Sequence, residues 1–92
     1  MELTYREGTL AYLSTLSPAA KQGIRQALRL MRDDIRHPGL DVKQLRKNSA
    51  LLYYRIRIGD YRIIFSPRGQ RVFVWRIMHR SEWHAWLANF DP

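Results

Sequence analysis

The sequence predicts an α+β domain in which an N-terminal helical hairpin packs on one face of a small, mainly antiparallel twisted sheet and a C-terminal helix follows. Residues 51–65 alternate apolar and charged side chains around Gly59-Asp60, which is typical of a tight β-hairpin. Residues 19–35 carry apolar side chains at three- and four-residue steps, which indicates an amphipathic helix. The expected element order is β-α-α-β-β-β-α, and it favours helices layered on one sheet.

The N-terminal elements follow from local signals. Residues 1–6 alternate apolar and polar side chains, which indicates a short strand, and residues 7–16 place leucines at helical spacing. Ser17-Pro18 is a start signal for the long helix, because serine caps helices and proline fits the first helical position. Residues 40–50 are polar and basic, and we expect a connecting loop there.

The C-terminal elements are one further strand and one helix. Residues 66–70 indicate a second turn, and residues 71–78 form a strand with apolar side chains on both faces. Ser81 is the expected N-cap of a last helix over residues 82–90. The two tryptophans in its apolar stripe are more typical of a core than of a surface that stacks on bases.

Composition limits the classes of partner and site. The 92 residues, with 46% hydrophobic and 26% charged side chains, predict one ordered domain over residues 1–92. An excess of 16 Lys and Arg over 8 Asp and Glu gives a net charge of +8, which favours a polyanionic partner over a merely basic surface.

Other classes of site and location are disfavoured. Cysteine is absent, and no His or carboxylate pattern suits a metal, so we expect neither a metal nor a cofactor. No apolar run reaches the ~18 residues of a membrane span and no signal peptide is evident, so a cytoplasmic protein without a membrane partner is expected.

The hairpin separates its side chains into two faces. With a two-residue turn, Ile58 lies opposite Tyr61 and Arg57 opposite Arg62. Arg55, Arg57 and Arg62 then share one face, and the other face carries the apolar set Tyr54, Ile56, Ile58, Tyr61, Ile63 and Phe65. Because like charges directly opposite each other destabilise an antiparallel pair, the arginines are candidates for binding an anion. A solvated sheet face is the alternative for Arg55 and Arg57.

The run YRIRIGDYRIIF, followed by a turn, a strand and WRIMHRSEWHAWL, resembles the RelE/ParE superfamily of toxins from bacterial and archaeal toxin-antitoxin pairs. Members typically carry Tyr-Arg-(Leu/Ile)-Arg-x-Gly-Asp-Tyr-Arg and later a strand that ends in Arg-x-x-His-Arg-x-Glu. The likeness extends over residues 3–87, and its specific part covers residues 54–84. The short helical hairpin and the ending His79-Arg80-Ser81-Glu82 resemble the RelE branch more than the ParE branch.

The resemblance implies a function and partners. RelE-like members cut mRNA in the ribosomal A site without a metal, whereas ParE-like members act on DNA gyrase. We therefore expect an endoribonuclease, or mRNA interferase, that uses the 2′-OH of ribosome-bound mRNA and is neutralised by a cognate acidic antitoxin in a hetero-oligomeric complex. The alternatives are a gyrase inhibitor and a non-catalytic protein that only binds its antitoxin.

The resemblance also implies a set of catalytic residues: Arg55, Arg57, Arg62, Arg80 and His84. Arginine suits the charge that builds on a phosphate, since its planar fork binds two oxygens and stays protonated. Arg62 and Arg80 can alternatively anchor loop carbonyls. Arg55 and Arg57 stand where the RelE-like enzymes commonly use lysines and His84 where they use a tyrosine, so His84 is the candidate for proton transfer. A polar surface histidine is the alternative.

A second group of cations is expected to bind rRNA. Lys43, Arg46 and Lys47 crowd the predicted basic loop, and such clusters bind phosphate backbones electrostatically. His79 lies at the end of a predicted strand, where a structural role is expected.

Overall fold

The computed structural model describes residues 1–45 and 52–90, and in this part of the chain five strands and three helices form an α+β fold. The elements in order are β1 (Glu2–Tyr5), α1 (Thr9–Ser14), α2 (Pro18–Asp33), β2 (Asp41–Gln44), β3 (Tyr54–Ile58), β4 (Tyr61–Arg68), β5 (Arg71–His79) and α3 (Arg80–Ala88). The strands form one sheet in the order β1-β5-β4-β3-β2. Only the pair of β1 with β5 is parallel among these strands, so the prediction of a mainly antiparallel sheet is confirmed.

The β3–β4 hairpin has the predicted register. Ile58 pairs with Tyr61 and Arg57 with Arg62 across the turn at Gly59-Asp60. Gly59 has a φ of +53°, in the left-handed region that side chains with a Cβ rarely adopt. The two-residue turn therefore fixes which side chains share each face of the sheet.

The layer formed by α1 and α2 packs on the apolar face of the β3–β4 hairpin. The main core is formed by fully buried side chains from β3, β4, β5 and α2, among them Ile56, Ile63, Phe65, Val72, Val74, Ile24 and Met31. Helix α2 begins at Ser17-Pro18 as predicted, where the Ser17 Oγ accepts the Ala20 N–H at 3.2 Å. The amphipathic stripe of α2 is thus the face that closes the core.

Helix α3 packs on the opposite face of the sheet. Trp83 is buried there with Ile64 and Met78, and Trp86 and Leu87 lie half-buried beside them. The interpretation of Trp83 as a core residue is confirmed, as is the prediction that β5 is covered on both sides. The sheet is therefore the middle layer of three, and α3 shares its face with the hairpin arginines.

The start of α3 differs from the prediction. The helix begins at Arg80, and its N-cap is His79, whose Nδ1 accepts the Ser81 N–H at 3.1 Å. The prediction of Ser81 as N-cap is wrong because His79 leaves β5 in an extended conformation and its ring nitrogen reaches the N–H two residues on. His79 thus has a structural contact at the joint between strand and helix.

Strand β2 was not predicted. Asp41–Gln44 lies in the segment expected to be a loop, and it pairs antiparallel with β3. Val42, which alternates with polar neighbours, packs against the main core. The segment is extended because β3, which is distant in sequence, supplies its hydrogen bonds.

Strand β4 is longer than predicted. It continues to Arg68 through Ser66 and Pro67, so the expected turn over residues 66–70 shrinks to Gly69-Gln70. Beyond Phe65, the described part of β4 pairs with β5 alone, and a proline is tolerated at such an edge because its missing N–H breaks no ladder.

A β-bulge in β5 alters the face of the sheet on which α3 packs. The register shifts between Ile64, which pairs with Arg76, and Phe65, which pairs with Val74, so Trp75 is left without a pairing partner. The Trp75 Nε1 donates to the buried Ser66 Oγ at 2.9 Å, and the indole joins the side chains under α3. No helix of the described residues is long and apolar enough to cross a membrane.

Candidate functional site

Four arginines meet on the sheet face that carries α3, and we call Arg55, Arg57, Arg62 and Arg80 the arginine face. Cross-strand partners share a face, and the register pairs Arg57 with Arg62 on β4 and with Asp41 on β2. Arg55 and Arg57 are two residues apart on β3 and therefore point to the same side. The structure thus brings the hairpin arginines together as predicted from alternation.

Arg62 lies at the centre of the arginine face. Its Nη1 donates to the backbone oxygens of Gly59 and Tyr61, both at 3.0 Å, so part of the guanidinium does anchor the turn. Burial lowers the pKa of Arg62, and the positive charges of Arg55, Arg57 and Arg80 lower it further. The Nε and Nη2 atoms make no hydrogen bond to the described residues. Within residues 1–45 and 52–90, those two donors therefore have no partner.

Arg80 joins the arginine face from the first residue of α3. Its N–H donates to the Asp60 backbone oxygen at 2.6 Å, and its Nε lies 3.5 Å from the Asp60 Oδ1. Both side chains are about two-thirds exposed, at 66% and 61%. Helix α3 is therefore tied to the same turn that Arg62 holds, which places the two guanidinium groups near each other.

Arg55 and Arg57 share one carboxylate, that of Asp41 on β2. Asp41 Oδ2 lies 2.7 Å from Arg57 Nη2, and its Oδ1 lies 3.4 Å from Arg55 Nη1. Desolvation acts to raise the pKa of Asp41, but the hydrogen bond from Arg55 and the charges of both arginines outweigh it and lower the pKa. Asp41 was not among the predicted site residues, although the alternation of Leu40 and Val42 with polar neighbours was a strand signal.

His84 is exposed on α3, one turn beyond Arg80. Residues four apart on a helix differ by about 40°, so His84 and Arg80 lie on the same flank. Glu82 lies on the other flank, where its Oε2 is 3.9 Å from Arg76 Nη2 of β5. His84 therefore lies on the flank of α3 that carries Arg80, away from Arg76, and its imidazole makes no hydrogen bond to the described residues.

The predicted rRNA-binding group is described in part. Lys43 is exposed on β2, directly opposite Arg55, which places it on the same side of the sheet as the arginine face. Arg46 and Lys47 lie outside the described residues. In residues 1–45 and 52–90, no three His, Asp or Glu side chains lie close enough together to hold a metal ion.

Comparison with known proteins places the chain in a family. A family model described as the ParE toxin of the type II toxin-antitoxin system, parDE, matches residues 9–83. The comparison with curated protein sequences found no match.

Three solved structures share the fold. A chain of the archaeal RelE-RelB complex from Pyrococcus horikoshii OT3 is 21% identical with a TM-score of 0.74, over 86% of this chain and 93% of that chain. A chain of the RelB-RelE antitoxin-toxin complex from Methanococcus jannaschii is 20% identical with a TM-score of 0.72, over 89% and 95%. The isolated RelE toxin of E. coli is 19% identical with a TM-score of 0.63, over 91% and 90%.

The family model and the fold agree with the resemblance seen in the motif. The matched residues include α1 and α2, the arginines of β3 and β4, and the start of α3. The structural neighbours are similar over nearly their whole length, which shows a shared fold. The chain therefore belongs to the RelE/ParE superfamily and is a toxin of a type II toxin-antitoxin system.

Proposed function

We propose that this toxin is a ribosome-dependent endoribonuclease that cuts mRNA through the 2′-OH and so inhibits translation. The observation that carries the proposal is the convergence of four guanidinium groups around Arg62, on the face that His84 flanks. Asp41 and Asp60 offset the charges of Arg55, Arg57 and Arg80, whereas Arg62 has no carboxylate partner among the described residues. A phosphodiester is an anion that the Arg62 fork fits. The similarity to RelE structures supports the same branch of the superfamily.

The proposed reaction needs charge stabilisation above all. The 2′-oxygen attacks the adjacent phosphorus, the bond from phosphorus to the 5′-oxygen breaks, and the products are a 2′,3′-cyclic phosphate and a 5′-hydroxyl. Negative charge grows on the non-bridging oxygens, where donors fixed in advance act most strongly. The Nε and Nη2 atoms of Arg62 are such donors, with Arg57 and Arg80 beside them.

Proton transfer is assigned to His84. Arginine keeps its proton near neutral pH, so none of the four guanidinium groups serves as a base. The His84 imidazolium gives a proton to the leaving 5′-oxygen, and the 2′-OH proton passes to water. His84 is exposed on the flank of Arg80, so the side chain has room to reach a bound nucleotide.

The proposed partners are anionic. The net charge of +8 and the arginine face favour an acidic antitoxin that covers these cations in a hetero-oligomeric complex. Two of the structural neighbours come from RelE-RelB complexes, which supports such a partner. Lys43, together with Arg46 and Lys47, is proposed to dock on rRNA when the toxin enters the ribosome.

Inhibition of DNA gyrase is the second candidate. The observation in its favour is that the matching family model is that of ParE, whose members act on gyrase. The arginine face would then bind an acidic protein surface and perform no chemistry. This candidate predicts intact messages and double-stranded DNA breaks in cells that express the toxin.

Expression of variants in growing cells, with toe-printing of translated mRNA, tests the proposal. The wild-type toxin is expected to arrest growth and to leave A-site cuts, whereas Arg62→Ala and Arg80→Ala abolish both. Arg68→Ala is the control, since Arg68 is exposed at the far end of β4. Growth arrest by both arginine variants, while circular dichroism shows that they fold, would contradict the proposal. Arrest with uncut messages and broken DNA would favour gyrase.

A further inference from the structure

The carboxylate of Asp41 lies among the arginines and gives them an anionic partner from the protein itself. Each of its two carboxylate oxygens meets a different guanidinium group, Arg57 at 2.7 Å and Arg55 at 3.4 Å. A non-bridging oxygen of a phosphodiester can take the place of the Asp41 oxygen against Arg57. The carboxylate therefore fills part of the place that the proposed function gives to RNA.

The two arginines are held with unequal strength. The Arg55 side chain is 14% exposed, and its Nη1 also donates to the Asp41 backbone oxygen at 3.0 Å. The Arg57 side chain is 57% exposed and is paired with the carboxylate. Solvent-exposed ion pairs contribute little to stability, so Arg57 can exchange its partner at low cost while Arg55 stays anchored.

The position of Asp41 also offsets repulsion within the cluster. Asp41, Arg57 and Arg62 lie side by side across three neighbouring strands, with the carboxylate at the end of the row. Like charges opposite each other destabilise a sheet, and a carboxylate next to them reduces that cost. Once a phosphate enters the cluster, the same carboxylate repels it.

We infer that Asp41 is a positioning residue for the arginine face: it orients Arg55 and Arg57 in the free toxin and releases Arg57 to an RNA phosphate. The inference rests on the proposed function, because it takes RNA as the incoming anion. Asp41 therefore weakens the binding of RNA, but it holds the arginines in position before RNA arrives.

Asp41→Asn tests the inference because it removes the charge and keeps the shape. The probe is a short single-stranded RNA with 2′-O-methyl groups, which cannot be cut through the 2′-OH. Asp41→Asn is expected to bind it roughly two- to fivefold more tightly. The dependence of log K on log salt should steepen by about 0.7, the value for one further neutralised phosphate on a single strand.

Cleavage of mRNA on programmed ribosomes supplies the second readout. With Asp41→Asn, the toxin concentration at half-maximal rate should fall, while the maximal single-turnover rate should drop roughly ten- to 100-fold because Arg57 is no longer oriented. Asp41→Glu keeps the charge and should restore binding close to that of the wild type. Asp33→Asn, an equal charge change at the exposed end of α2, is the control.

Several outcomes would overturn the inference. Asp41→Asn could bind the RNA no more tightly than Asp33→Asn, or it could tighten binding equally in an Arg57→Ala background. Failure of both the wild type and Asp41→Asn to bind the RNA would overturn it as well. The binding assay needs no cleavage, so tighter binding by Asp41→Asn beside a wild type that cuts no mRNA would refute the ribonuclease alone.

Discussion

Replacement of Arg62 by lysine separates the geometry of the guanidinium fork from its charge. In the wild type, Nη1 holds two carbonyls of the turn, which leaves Nε and Nη2 for the phosphate. A lysine ammonium is a single point charge and cannot span the carbonyls and a phosphate at once. Loss of a donor fixed at a developing charge costs about 10²–10³ in rate, and we expect this loss for Arg62→Lys.

The effect on stability should be small by comparison. Hydrogen bonds to two carbonyls of an exposed turn contribute on the order of 1 kcal/mol, and lysine retains part of this. Single-turnover cleavage of mRNA on programmed ribosomes measures the rate, and urea unfolding measures the free energy of unfolding. Arg68→Lys is the matched control and should leave both unchanged. Cleavage by Arg62→Lys within about fivefold of wild type would refute the role of the fork.

Three further predictions concern proton transfer, the core and pH. His84→Gln should slow single-turnover cleavage by about 10²–10⁴ without lowering the melting temperature, because His84 is exposed. Phe65→Ala should lower the free energy of unfolding by about 3–5 kcal/mol in urea, whereas Leu10→Ala, at a residue that is 52% exposed, should change it by less than about 1 kcal/mol. Since the pKa of Asp41 is lowered from 3.8 in the folded chain, its ion pairs stabilise the fold above that pH and are lost as the pH falls through the lowered pKa. The stability difference between wild type and Asp41→Asn should therefore be fully present above pH 3.8 and shrink as the pH falls below it in urea titrations.

The arginine face was predictable where it depends on local rules. Gly59-Asp60 permits a two-residue turn, and that turn fixes the register that sets Arg57 beside Arg62. Alternation along each strand then separates the cations from the core without any knowledge of the rest of the fold. The start of α2 at Ser17 was predictable for the same reason, because capping is a local interaction.

Features that depend on contacts distant in sequence were not predictable. The short β2 is extended because it pairs with β3, and its polar composition resembles that of a loop. Asp41 therefore escaped notice, since its place beside Arg57 exists only once β2 has joined the sheet. The N-cap at His79 was missed for a local reason, because histidine is an uncommon cap and its ring reaches the Ser81 N–H two residues on.

The most direct test removes the 2′-oxygen from one nucleotide of the substrate. Ribosomes are programmed with an mRNA that carries a single 2′-deoxynucleotide at the cleavage position of the A-site codon, and a matched all-ribose mRNA serves as the control. We predict that the purified toxin cuts the all-ribose mRNA, leaves a 2′,3′-cyclic phosphate and a 5′-hydroxyl, and does not cut the substituted mRNA at that position. Equal cleavage of both messages, or no cleavage of the all-ribose mRNA by a toxin that arrests growth, would contradict the claim that the arginine face supports attack of the 2′-OH on an RNA phosphodiester.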